Sequence, residues 1–114
     1  MSKYHFKSFV YVMKLFPSEG KYYYKVGISN NPERRKKELK RQYKVDRVEI
    51  IWHSPNLAES TARRIENQLL NRISQTHEMV RKECFYAEEP LKMTIKIRKE
   101  YFVNESLETV EVDI

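Results

Sequence analysis

Between Lys25 and Leu39 the chain reads KVGISNNPERRKKEL. A glycine in a strand of large residues, an Asn-Pro pair and a run of cations follow one another within fifteen positions. Asn31 can accept an orphan backbone N–H at a helix start, and proline's fixed φ suits the first helical position. Gly27, flanked by bulky strand residues, marks close approach of another group to the backbone. The helix that follows carries Arg34, Arg35, Lys36, Lys37, Lys40 and Arg41, a charge density suited to phosphate. Its one clear core residue is Leu39, and Arg35 lies one turn earlier on the same face, so Arg35 should lean toward the protein body while the other cations meet solvent or phosphate.

Two further residues have types that can act with Arg35. Glu66 falls inside the apolar stripe Ala58, Ala62, Ile65, Leu69 and Ile73 of a long helix, where a carboxylate needs a partner, a proton or a metal. Tyr11 lies in the first strand. A carboxylate can hold a hard cation such as Mg²⁺ or Mn²⁺ with its remaining positions left to water and phosphate. An arginine can neutralise charge on a phosphorane, and a tyrosine can accept the proton of an attacking water. Together these are the requirements for phosphodiester hydrolysis.

These residues need elements to position them. FKSFVYVMKL (6–15) and KYYYKVGI (21–28) are rich in β-branched and aromatic residues and are joined by Pro17-Ser18-Glu19-Gly20, so the opening is a β-hairpin. The basic helix spans about 32–43, and VDRVEIIWHS (45–54) gives a third strand, with His53 at its end as a surface histidine. The long helix is expected to start at Asn56, with Glu59 completing a capping box. Glu83 to Tyr86 reads as a short extended segment. Pro90 is expected to open a last helix toward Phe102, although Leu91, Met93, Ile95 and Ile97 alternate. LETVEVDI, at the end, is an acidic tail or an edge strand.

The order of these strings resembles the GIY-YIG nuclease superfamily, and most of all its small phage-type branch. Phe9-Val10-Tyr11 stands at the first signature tripeptide and Lys25-Val26-Gly27 at the second, where Lys25 replaces the signature tyrosine. Arg35 follows the glycine by eight residues, Glu66 sits on the later helix, and Glu83-Cys84-Phe85 resembles the branch's Glu-x-Phe. The resemblance covers about residues 8 to 87. It implies an α/β domain of the α+β type, with a three-stranded antiparallel sheet flanked by helices. The implied catalytic set is Tyr11, Lys25, Gly27, Arg35 and Glu66, with Glu66 holding Mg²⁺ or Mn²⁺ and Lys25 supplying a second phosphate contact. Leu39 and Leu70-Asn71 stand where relatives often carry histidines, which keeps open a binding module that does not cleave.

The 114-residue chain fits one domain, at 1–103, with 104–114 as the acidic end. Its net charge is +6; residues 104–114 hold four acids and no base, which leaves +10 on the rest. Such a body attracts a polyanion, DNA ahead of RNA. The acidic end also admits a regulatory protein that engages a host protein. The single cysteine, Cys84, excludes an internal disulfide and a cysteine-built zinc site, and fits a reducing, cytoplasmic setting. High sequence specificity would require a homodimer or a partner, since no separate recognition domain is evident.

Overall fold

The computed structural model describes residues 8–88, 92–100 and 105–113. Its centre is the hairpin of β1 (Phe9–Phe16) and β2 (Tyr23–Ser29), two strands in which large side chains alternate between two buried faces. α1 (Pro32–Gln42), β3 (Arg47–His53) and α2 (Glu59–Thr76) follow, then the short strands β4 (Met79–Arg81) and β5 (Cys84–Phe85). These strands make one antiparallel sheet of order β3-β1-β2-β5-β4. The class matches the expected α+β domain, but the sheet has five strands rather than three. β5 falls in the extended segment expected at Glu83 to Tyr86, while β4, three residues long, escapes a reading by periodicity.

Each face of the sheet is covered by one helix. Tyr11, Met13, Leu15 and Tyr23 pack with Leu39 of α1 and with Val45, Val48 and Cys84. Val10, Val12, Tyr24 and Val26 pack with Ala62, Ile65, Leu69 and Ile73 of α2 and with Phe85. The expected stripes of both helices are therefore the buried ones.

α1 begins as the Asn-Pro pair predicts: Asn31 Oδ1 accepts from the Arg34 N–H at 3.1 Å. α2 begins later than expected. Leu57 exchanges backbone hydrogen bonds with Ser8, at 2.8 and 3.0 Å, so the chain stays extended past Asn56. Its side chain joins the α2-side core, and the helix opens at Glu59 behind an Ala58 cap that makes no side-chain hydrogen bond. Anchoring Leu57 takes precedence over the capping box at Asn56.

The segment expected to be a final helix is a strand. β6 (Lys92–Glu100) pairs in continuous antiparallel register with β7 (Glu105–Asp113), from Lys92 opposite Asp113 to Glu100 opposite Glu105. The alternation of Met93, Ile95 and Ile97 outweighs proline's helix-opening preference, because a partner strand of matching length follows. Among the described residues no helix is long and apolar enough to cross a membrane.

Candidate active site

Gly27 and Tyr11 are direct partners across β1 and β2. The Tyr11 ring lies flat over the glycine: a Cβ at Gly27 would overlap the Tyr11 hydroxyl and approach Cζ to 2.6 Å and Cε2 to 3.1 Å. Any side chain at position 27 would expel the ring. The close approach expected of this glycine is thus to Tyr11 itself, which is almost fully buried.

Lys25 projects on the same face as Tyr11, two residues before Gly27. It is only 4% exposed. Its Nζ is 2.9 Å from Glu83 Oε1 and 5.9 Å from the Tyr11 ring centroid. Burial works to lower the Lys25 pKa, but Tyr11 and Glu83 outweigh it and the net direction is up, so the amine is held charged. Lys25 is thus held in a buried ion pair. Tyr24 points to the opposite face and stacks on Phe85 at 5.5 Å.

Arg35 leans inward as its place one turn before Leu39 requires. Its side chain is 29% exposed and donates to Glu38 at 3.2 Å, and Tyr11 is close enough to favour its charge. Desolvation opposes the charge, yet those two partners raise the Arg35 pKa. Tyr11, Gly27, Lys25 and Arg35 are therefore brought together on the α1 face of the sheet.

Glu66 comes from α2, across the sheet. It is 9% exposed, and among the described residues it makes no hydrogen bond or ion pair. Burial first, and the Glu83 carboxylate second, hold its carboxyl above the ordinary value against the pull of Lys25, Arg63 and Lys82. It is thus within electrostatic reach of the Lys25–Glu83 pair without being bound to it. Among the described residues no three His, Cys, Asp or Glu side chains converge into a metal cage. What remains is an unpaired, partly desolvated carboxylate.

The other basic residues of α1 divide. Arg34 is tied back to Asn30 at 2.8 Å and to Glu38 at 3.8 Å. Lys36, Lys37 and Lys40 line a groove against Arg47, Val48 and Glu49 of β3. Arg41 is exposed.

Two residues were undervalued by sequence. Glu83 is the counter-ion of Lys25, it sits at a left-handed φ of +71°, and its carbonyl accepts from the Val26 N–H at 3.0 Å. A non-glycine residue held in that region is strained, as often happens at functional sites. His53 is the other. Strict alternation from Ile50 would send it to the α2 face. The register of β3 against β1 shifts between Val12 and Met13, so Ile51 and Trp52 both pack on the α2 side and His53 falls opposite Tyr11. Its Nδ1 donates to the Ser54 carbonyl at 2.8 Å, and the residue is exposed, as expected of a surface histidine. The signal was present in β3, where two large apolar residues, Ile51-Trp52, break the alternation. Cys84 is no nucleophile: it is fully buried, and burial pushes its thiol up.

Residues 8–113 match the T5orf172 domain family. No curated protein and no solved structure matches the chain.

Proposed function

The chain belongs to the T5orf172 domain family, and we propose from its site that it is a divalent-metal-dependent endonuclease of the GIY-YIG type acting on DNA. The observation that carries this reading is the Tyr11 ring seated on Gly27 with two cations, Lys25 and Arg35, directed at it. A tyrosine placed only for packing would not need a buried ammonium and a half-buried guanidinium beside it.

Glu66 is the residue to hold Mg²⁺ or Mn²⁺, which when bound stabilises negative charge on the phosphate and its leaving oxygen. Arg35, fixed by Glu38 and kept charged, neutralises the phosphoryl oxygens as the attacking water closes on phosphorus. Lys25 cannot serve as a base in its charged form; it fixes Tyr11 and adds positive potential from below. Tyr11 Oη would receive the proton of the attacking water as its own phenol proton passes to a second water. Exposed cations on α1 supply the attraction that brings DNA to the site.

Supercoiled plasmid incubated with Mg²⁺ or Mn²⁺ tests the reading. Cleavage by the wild type should disappear in Glu66→Ala. It should fall about 10²-fold or more in Arg35→Ala, the scale of one lost preorganised charge-stabilising donor. Cleavage by Glu66→Ala at the wild-type rate overturns the assignment of the metal ligand. DNA binding by the wild type without cleavage under either metal favours the binding module.

A further inference from the structure

The basic groove beside α1 and the far end of the sheet meet at one residue, Arg47. On the groove side, Lys36, Lys37, Lys40 and Arg47 surround a cavity of about 450 Å³, four cations against the one carboxylate of Glu49. Glu49 engages Arg47 at 3.3 Å, with both side chains largely exposed. On the other side, the Arg47 guanidinium lies 4.1 Å from the centroid of the Phe16 ring. Phe16 is 6.1 Å from Tyr22, centroid to centroid, and Tyr22 is 6.0 Å from Tyr24. Lys14 Nζ sits 4.0 Å from the Tyr22 ring and 5.1 Å from that of Phe16.

A cation–π cluster that merely closes the end of the hairpin explains Lys14, whose ammonium is shared among these rings. It does not cover all of Tyr22. That side chain is 37% exposed, the one exposed large apolar residue among those described. It also lines a second cavity of about 390 Å³ with Lys21, Tyr86, Ala87 and Glu88. A solvent-open ring such as Tyr22, beside a half-buried Phe16 and set among cations, matches what a nucleic-acid strand offers when its bases are free: π-faces for the rings and phosphates for the cations. Bases inside a duplex are stacked on one another and cannot meet such rings.

We propose that this strip binds an unpaired stretch of DNA, with phosphates along Lys36, Lys37, Lys40 and Arg47 and bases against Phe16 and Tyr22. The proposal rests on the nuclease reading for its choice of DNA, and it narrows the substrate to DNA that carries a single-stranded tract beside the cut. Phe16 lies five residues along β1 from Tyr11, roughly 17 Å at strand spacing. The strip is therefore separate from the catalytic cluster and can be altered without touching it.

Anisotropy of a labelled single-stranded oligonucleotide and of the same sequence as a blunt duplex, without divalent metal, tests this on the full chain. Phe16→Ala with Tyr22→Ala should weaken single-strand binding about tenfold or more, the scale of a lost base–aromatic stack. Duplex affinity should change by less than about twofold, since stacking does not contribute to it. Tyr22→Trp should keep single-strand affinity, and Tyr22→Leu, which preserves apolar bulk for folding but has no π-face, should lose it. Equal losses on both DNA forms, or no loss on the single strand, overturn the strip. Tighter binding of the matching single-stranded RNA overturns the choice of DNA. Wild-type protein that binds neither DNA form overturns the DNA reading as a whole, whereas duplex binding with no response to these variants overturns the strip alone.

Discussion

Glu66 shows how a single group can weaken the fold in a way that function would explain. Its carboxyl is held above the ordinary value by burial and by Glu83, so the folded protein binds that proton more tightly than the unfolded chain does. Folding then binds more protons than unfolding across that window, and the contribution of Glu66 to stability falls as pH rises through the carboxylate range to its folded pKa. Glu66→Gln should accordingly melt higher than the wild type at neutral pH, with the difference shrinking to nothing as the pH drops below the ordinary glutamate value. Melting curves at three or four pH values check this; a difference independent of pH would mean that the carboxylate is already compensated. The place of Glu66 was legible because helical periodicity fixes angles from sequence alone, and Arg35 was legible for the same reason, relative to Leu39. The Lys25–Glu83 pair joins residues 58 apart and the Tyr11–His53 pairing joins residues on two strands. Cross-strand neighbours depend on register, which no local pattern states.

At the scale of elements, the ends of helices carry the clearest local physics. α1 closes with the Tyr43 N–H on the Leu39 carbonyl and the Val45 N–H on the Lys40 carbonyl, a Schellman arrangement that puts Lys44 at φ +53°. A glycine would adopt that conformation without steric cost. Lys44→Gly should therefore stabilise the protein by about 0.5–1 kcal/mol after its extra unfolded-state entropy is charged against it. Thermal or urea denaturation measures this directly, and a loss of stability would mean that the lysine makes a compensating contact. The start of α1 was readable from Asn31-Pro32 because a cap is a local device. The start of α2 was not, since the backbone of Leu57 is claimed by Ser8, 49 residues earlier. In β6 the alternation carried the correct signal, and a proline suited to a helix start obscured it.

The whole molecule pairs a positively charged sheet domain with a hairpin whose second strand is acidic. β7 holds Glu105, Glu108, Glu111 and Asp113, and it supplies the hydrogen-bonding partner for all nine residues of β6. Truncation after Val103 should lower the melting temperature, because β6 keeps its length and loses its ladder. It should also tighten DNA binding several-fold at low salt, with the gain fading as ionic strength rises, since four negative charges leave a body of +10. Melting and salt-dependent affinity measured on one truncated protein test both. An unchanged melting temperature would reduce β7 to electrostatic cover.

The shifted register of β3 can also be read as a matter of length. Six residues of β1, Tyr11 to Phe16, are matched by seven of β3, Arg47 to His53. The surplus residue, Ile51, is the one with no partner in β1. A sister chain lacking that position would run straight through the strand and still deliver its histidine opposite the tyrosine. In an alignment, the interval between Val48 and His53 is thus where a one-residue gap should be tolerated, while a gap between Tyr11 and Gly27 would have to be paid in the loop at Pro17 to Gly20 to keep ring and glycine together. Sequence length is free to drift at one edge of this sheet and held fixed at its centre.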